Sequence, residues 1–184
     1  GKLMGLAMGT SEAVGYVDKD QNVLGWISEL AFAPVDLNEE AMQDEWSTDF
    51  GVGCKYFSQD AVIKLAPRAG IALDPALTPA EKLKVVQNLM EADDPRAQAV
   101  FADIGTYLAY TVVLYSRFYE IKRMMVLGRV MSGKGGEKIL ATCQDVLKDE
   151  FPSLYESVSV MLPDENTRRV GQSVAAASLP DIRK

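Results

Sequence analysis

The chain has 184 residues, of which 48% are hydrophobic and 24% charged, with a formal net charge of −7. These values are typical of one globular domain with a sizeable core. A nucleic-acid partner is not expected, because phosphate binding needs clustered Lys and Arg and the chain has no basic stretch. The sequence contains no histidine, which excludes His-based catalytic triads and His-ligated zinc within this chain.

The cysteines and the apolar runs indicate in which cellular compartment the protein is expected. Cys54 and Cys143 show neither metal-ligand nor redox spacing, so they are expected to be reduced, buried thiols in a cytoplasmic protein. No signal peptide is visible, and the most apolar run, YLAYTVVLY, is far too short to span a bilayer. We therefore expect no membrane partner.

The N-terminal segment predicts an antiparallel meander of about three strands. KLMGLAMG is apolar and ends in glycine, and EAVGYVD and NVLGWIS are β-rich runs around the polar turn KDQN. Because the first strand begins almost at Gly1, the chain is expected to be a fragment whose earlier part is missing.

A long polar loop is expected over APVDLNEEAMQDEWSTDFGVG, and loops of this length are usually functional or disordered. Its carboxylates could bind a hard cation, or they could simply be solvated, which is the more common case. The carboxylates are Glu39, Glu40, Asp44, Glu45 and Asp49.

The helical part begins after this loop. Ser58 has the residue type and position of an N-cap for QDAVIKLAPRAG, which Pro67 and Gly70 should end. In TPAEKLKVVQNLMEA, Thr78 and Glu81 form a capping box around a proline at the first helical position.

A long helix should run from Asp94 and Pro95 to about Tyr119, with one apolar face at helical spacing that suits core packing. IKRMMVLG and SVSVMLP are strand candidates, a helix from about Gly136 to Phe151 should separate them, and ENTRRVGQSVAAASL should form a final helix. The predicted fold is therefore α/β, a three-strand meander extended by two further strands with helices packed on the sheet.

Four segments in order carry a resemblance to a known family: MGTSEAVGYVD, GW…ELAF, LGRVMSGKGGEKIL and LPDENTRRVGQSVAAASL. Together they resemble the C-terminal domain of a ROK-family sugar kinase (repressor, open reading frame, kinase). The resemblance implies a ribonuclease-H-like fold of the actin, hexokinase and chaperone ATPase superfamily. It also implies that residues 1–184 are one C-terminal domain, and that the catalytic Asp and the first phosphate loop lie upstream of Gly1. This chain would then hold no catalytic residue.

The family's second phosphate loop is a glycine-rich turn between two strands, and Gly9, Thr10 and Ser11 match it. The next family glycines are replaced here, first by Glu12. A carboxylate beside a phosphate loop is unfavourable unless it points away or meets magnesium. A plain β-turn is the alternative interpretation.

The segment GRVMSGKGGEKI, residues 128–139, nearly matches a P-loop, but Gly135 stands where Ser or Thr would hold magnesium. The resemblance instead implies an adenosine-binding turn, where side chains stay small because the backbone approaches the nucleotide. A structural glycine turn is the alternative, and Lys134 could touch a phosphate or be solvated. The small residues that match the adenosine turn are Gly128, Ser132, Gly133, Gly135 and Gly136.

In SELAFA, Glu29 matches the family glutamate that accepts hydrogen bonds from sugar hydroxyls, although it could be an ordinary strand-edge carboxylate. Phe32 stands where the family has a zinc-binding histidine, and Cys54 is all that remains of the cysteine-rich zinc motif. No zinc or other resident metal is therefore expected.

The resemblance implies a cytoplasmic kinase that uses Mg·ATP, binds a hexose-type sugar and the nucleotide between two domains, and forms a homodimer. Two alternatives stay open from the sequence. One is a non-catalytic ROK-like protein that binds a sugar or has a regulatory role. The other is a chaperone- or actin-like ATPase of the same fold, in which Glu29 has no role.

Overall fold

The computed structural model describes residues 1–23 and 29–163. Most of the predicted strand NVLGWIS and all of the predicted final helix lie outside these residues. In chain order, the described strands and helices are β1 (Leu3–Met8), β2 (Glu12–Val17), α1 (Gln59–Arg68), α2 (Pro79–Glu91), α3 (Pro95–Tyr115), β3 (Arg123–Leu127), α4 (Gly133–Glu150), α5 (Pro152–Ser157) and β4 (Ser159–Met161). Short 3-10 turns cover Leu30–Phe32, Gly53–Lys55 and Arg129–Met131.

The described strands form one mixed four-stranded sheet in the order β2-β1-β3-β4. β1 and β2 are an antiparallel hairpin, whereas β3 is parallel to β1 and β4 is parallel to β3. The α/β class and both late strands are confirmed. Of the predicted third meander strand, Val23 forms an isolated bridge to Val17, and the remainder stays a prediction.

The core forms between the sheet and the helices. Met4, Leu6 and Met8 alternate along β1 and are fully buried, as the period of a strand with one covered face requires. α3 lies against α4 at close range. A Cβ at Gly105 of α3 would come within 2.6 Å of the Ile139 carbonyl oxygen of α4, so a small residue is needed there.

The predicted helix starts are confirmed by their caps. The Ser58 hydroxyl accepts a hydrogen bond from the Asp60 N–H, and Thr78 and Glu81 form the reciprocal capping box. The Asp94 carboxylate accepts the Arg96 N–H at the start of α3.

Three predicted boundaries need correction. α1 includes Pro67 in its last turn and ends at Arg68. α3 ends at Tyr115 rather than near Tyr119, because the N–H groups of Arg117 and Phe118 donate to carbonyls three rather than four residues back. α4 begins at Gly133, three residues before the predicted Gly136, so most of the predicted glycine turn is the first turn of a helix.

α3 is, by length and composition alone, apolar enough to cross a membrane. Half of its most apolar window is buried inside the protein, and residues such as Val100, Ile104 and Leu108 lie in the core. The core helix of a globular protein has the same properties.

Candidate functional site

The two predicted nucleotide segments meet at one edge of the sheet. β1 and β3 are parallel, so the turn after Met8 and the loop after Leu127 leave the sheet side by side. Gly128 has φ 106°, and a Cβ there would lie 2.3 Å from the Met8 carbonyl oxygen. Glycine is required because the two strand ends approach so closely. The carboxyl edge of parallel strands is where α/β proteins commonly bind ligands.

The Gly9–Ser11 turn presents unused donors. The Gly9 N–H donates to the Ser11 carbonyl at 3.1 Å, and Thr10 and Ser11 are exposed. Within residues 1–23 and 29–163, no hydrogen bond engages the N–H groups or hydroxyls of Thr10 and Ser11. The Gln59 N–H at the start of α1 donates to the Gly9 carbonyl at 2.9 Å, so the positive end of a helix lies against the turn. These groups suit an anionic ligand.

The small residues of the second segment divide into exposed and buried ones. Ser132 and Gly133 are exposed, whereas Gly135 and Gly136 are buried. A Cβ at Gly135 would lie 2.7 Å from the Phe101 ring, and one at Gly136 would lie 2.1 Å from the Met131 carbonyl oxygen. Close packing inside the protein therefore explains the second pair, and only the first pair offers a surface to a ligand.

Acidic residues at the end of α2 bind the first turn of α4. Glu91 Oε1 accepts the Lys134 N–H at 3.0 Å, and the Lys134 ammonium lies 2.7 Å from Asp93 Oδ1. The Lys134 ammonium is therefore paired at the surface, with its side chain still 40% exposed, and in this conformation it points to Asp93 rather than to a phosphate. Sequence analysis missed Glu91 and Asp93, although acidic residues at a helix C-terminus oppose the helix dipole and so indicate partners elsewhere.

Glu12 follows the Gly9–Ser11 turn, but its side chain is buried and points away from it. Within the described residues its Oε2 has no hydrogen-bond partner. Burial raises the pKa of this carboxyl to about 8, so it is mostly protonated at neutral pH. The negative charge that would repel a phosphate is thus removed.

Tyr115 connects this carboxyl to the segment that contains Glu29. Its hydroxyl lies 3.3 Å from both Glu12 Oε1 and the Leu30 carbonyl oxygen. The Tyr115 hydroxyl has one hydrogen and can donate to only one of these two oxygens. A protonated Glu12 can donate the other hydrogen bond, to the Tyr115 oxygen. A Cβ at Gly53 would lie 2.2 Å from Glu12 Oε2, so a third segment packs against the same point. Glu29 itself is exposed and begins the turn Leu30–Phe32.

Of the five loop carboxylates, Asp44 and Glu45 pair with lysines, which corrects both interpretations for these two, whereas Glu39, Glu40 and Asp49 are exposed. Lys55 is buried, and its ammonium lies 3.1 Å from Asp44 Oδ1, 2.5 Å from Glu45 Oε2 and 2.8 Å from Asp60 Oδ2. We name these four residues the Lys55 cluster. The Ser47 N–H and the ammonium of Lys55 lower the pKa of Asp44 to about 2.

The residues around this cluster do not fit the zinc site that the sequence resemblance implies. Phe32 packs against Trp46, with ring centroids 5.7 Å apart. Cys54 is free and buried, and burial raises its pKa to about 11, so it is a thiol rather than a thiolate ligand. Across the described ranges, no group of three or more His, Cys, Asp or Glu side chains could hold a metal ion. We assign no residue to zinc or magnesium.

Comparison with known proteins shows what this fold is similar to. No family model and no curated protein matches the sequence. A ROK family glucokinase from Streptomyces griseus, solved with glucose and AMPPNP, matches with a TM-score of 0.64 and 15% identity over 87% of this chain and 55% of that one. The ROK hexokinase from Thermus thermophilus matches with a TM-score of 0.64 and 16% identity over 90% and 53% of the two chains.

A regulator has the same fold. A ROK family transcriptional regulator, a homologue of the E. coli MLC protein, matches with a TM-score of 0.62 and 14% identity over 87% of this chain and 41% of that one. The chain thus has the domain fold of ROK-family sugar kinases, which confirms the resemblance, and it spans roughly half the length of these structures. At identities this low, the structural similarity shows the fold alone and does not assign an activity.

Proposed function

We propose that this chain is the C-terminal half of a cytoplasmic, Mg·ATP-dependent sugar kinase that phosphorylates a hexose-type hydroxyl. The Gly9–Ser11 turn would bind nucleotide phosphates, and the exposed face of Ser132 and Gly133 would lie beside the adenosine. Glu29 would accept hydrogen bonds from the sugar. The general base would come from an N-terminal domain, and the protein would form a homodimer.

The observation that carries this proposal is the meeting of the Gly9–Ser11 turn with the Gly128 loop at the carboxyl ends of β1 and β3. Backbone amides, hydroxyls and a helix N-terminus converge there. The protonated state of Glu12 removes a negative charge beside the turn that would oppose phosphate binding. The fold shared with a glucokinase that binds glucose and AMPPNP supports the choice of ligands.

Calorimetric titration of Mg·ADP into the full gene product that carries this chain tests the proposal. We expect binding that weakens at least roughly tenfold in Ser11→Glu, because a carboxylate at the turn repels the phosphates. Ser11 is exposed, so the substitution should leave the fold intact. Bulky substitutions of Gly135 or Gly136 would instead disrupt packing, because both glycines are buried.

Ser153→Glu is the matched control, because Ser153 is equally exposed on α5 and the change in net charge is the same. Its affinity for Mg·ADP should equal that of the wild type. Absence of binding in the wild type, or equal weakening by both variants, would contradict the nucleotide site.

A non-catalytic regulator is the second candidate. The pairing of Lys134 with Asp93, and of its N–H with Glu91, favours it, because these contacts occupy the start of α4. Sugar binding without phosphoryl transfer by the full gene product would identify this alternative. ATP hydrolysis without any sugar acceptor would instead indicate an actin- or chaperone-like ATPase.

A further inference from the structure

Trp46 is a large apolar side chain that the protein leaves in solvent. Its exposed fraction is 83%, and it lies at the tip of a short hairpin closed by the bridge between Gln43 and Phe50. Leaving an indole in water forgoes the stabilisation that burial of a large apolar side chain gives. Exposed aromatic residues on a fixed backbone are typical of binding surfaces.

The hairpin that carries Trp46 is fixed on both sides of the indole. On the preceding side, the Asp44 N–H donates to the Asp49 carbonyl at 2.8 Å, and Glu45 Oε1 lies 2.7 Å from the Lys64 ammonium. On the following side, the Ser47 N–H donates to Asp44 Oδ2 at 2.7 Å. The backbone that carries the indole is therefore fixed before any ligand arrives, which lowers the entropic cost of binding.

The indole also lies beside the segment of the proposed sugar ligand. Its ring centroid is 5.7 Å from that of Phe32, and the Phe32 N–H donates to the Glu29 carbonyl at 3.0 Å. Glu29 and Phe32 therefore lie at the two ends of one 3-10 turn, and Trp46 contacts the turn at Phe32. An aromatic face and an acceptor carboxylate are the two groups that recognise a sugar ring, one for its C–H face and one for its hydroxyls.

We propose that Trp46 is the stacking surface for the pyranose ring whose hydroxyls bind Glu29, an inference that rests on the proposed sugar-kinase function. The negative face of the indole attracts the weakly positive C–H groups of the sugar. Trp46 thereby takes part in determining specificity, because a sugar with an axial hydroxyl on the stacked face would pack poorly.

Other occupants fit this surface less well. A second copy of the chain would bring a net charge of −7 to a loop that already exposes Glu39, Glu40 and Asp49, so like charges would oppose the contact. A different location for the sugar is also less suitable. The apolar cavity of about 560 Å³ near Leu30 and Phe118 offers too few polar groups for a sugar. The aromatic and acidic surface around Trp46 has the chemistry that a sugar needs.

The chain contains two tryptophans, Trp26 and Trp46, so intrinsic fluorescence can report on each one separately. In the full gene product, Trp26→Phe leaves Trp46 as the reporter from this chain, and Trp46→Phe leaves Trp26. Glucose and N-acetylglucosamine are titrated into both variants up to millimolar concentration, with sorbitol as an open-chain control. We expect a saturable change for a cyclic sugar in Trp26→Phe and none for sorbitol.

The affinity for the sugar then distinguishes stacking on the Trp46 indole from a fluorescence change caused by a sugar that binds only nearby. Sugar affinity, measured by calorimetry, should fall roughly tenfold in Trp46→Ala and recover largely in Trp46→Phe, which restores an aromatic face. Tyr155→Ala removes a partly exposed aromatic residue of α5 and should leave the affinity unchanged. For phosphorylation, Trp46→Ala should raise KM for the sugar with little change in kcat.

The outcomes distinguish this inference from the function on which it rests. Sugar binding that Glu29→Gln abolishes but Trp46→Ala leaves unchanged overturns the stacking role and retains the kinase. Binding of Mg·ADP without binding of any tested sugar overturns the stacking role and leaves the nucleotide site. Binding of neither ligand overturns both proposals.

Discussion

Glu12 illustrates how a single residue can contradict a motif and still suit the site. The sequence places a carboxylate where the family has glycine, directly after the predicted phosphate turn. The fold buries this carboxyl against Tyr115 and Gly53, and the loss of solvation keeps it protonated. The turn therefore keeps its shape and gains no charge.

Glu12→Gln should remove a pH dependence of stability. Because the folded pKa of Glu12 is about 8 and its ordinary pKa is 4.5, the wild type should lose roughly 4 to 5 kcal/mol of stability as pH rises between these values. The glutamine variant should lack this decrease and be the more stable protein above about pH 8. Urea unfolding from about pH 5 to pH 9 measures the difference.

Glu39→Gln, at an exposed position of the loop, is the control and should follow the wild-type pH profile. Parallel profiles for the wild type and Glu12→Gln would show that Glu12 is ionised in the folded protein at neutral pH.

Among the elements of the fold, the long loop before α1 is held by ion pairs with a buried lysine. The ammonium of Lys55 lies there among three carboxylates. A cation supplied by the chain itself thus cross-links the loop to α1, since Asp60 belongs to that helix. The same cluster fixes the hairpin that carries Trp46.

Lys55→Met should destabilise the protein by about 3 to 5 kcal/mol, because it leaves the partly buried carboxylates of the Lys55 cluster without their cation. Lys64→Met is the matched comparison. Lys64 pairs with Glu45 at 2.7 Å but is more exposed, so its loss should cost less than about 1 kcal/mol. Urea unfolding at neutral pH compares the two variants, and equal losses would contradict a structural role for the cluster.

For the whole molecule, the decisive feature is the parallel pairing of β1 with β3, because it joins segments more than a hundred residues apart. Gly128 lies at this junction, where its backbone passes the Met8 carbonyl. Both predicted nucleotide segments depend on this contact for their relative position.

Gly128→Ala should therefore destabilise the protein by about 2 to 4 kcal/mol, since alanine is strained at φ 106° and its Cβ would overlap the Met8 carbonyl. Gly15→Ala is the control, because no atom lies within 4 Å of a Cβ at that position in β2. Its effect should stay below about 1 kcal/mol. Differential scanning calorimetry measures both variants, and a neutral Gly128→Ala would contradict the close approach.

Local sequence rules determined much of the secondary structure. The caps at Ser58 and Thr78 and the alternation along β1 each depend on residues close together in the chain, so the sequence alone was sufficient. The order of four weak motifs likewise identified the fold that the comparisons confirm. The same rules placed the start of α4 too late, because glycines in its first turn resemble a loop until Glu91 is seen to accept the Lys134 N–H.

Tertiary structure decided the chemistry of individual side chains. The protonation of Glu12, the pairing of Lys55 and the exposure of Trp46 each depend on which distant segments come to lie beside them. Gly133 and Gly135 are two residues apart in sequence, yet one is exposed and the other packs against Phe101. Residue types and spacings do not predict such contacts, because burial and pairing are properties of the folded chain.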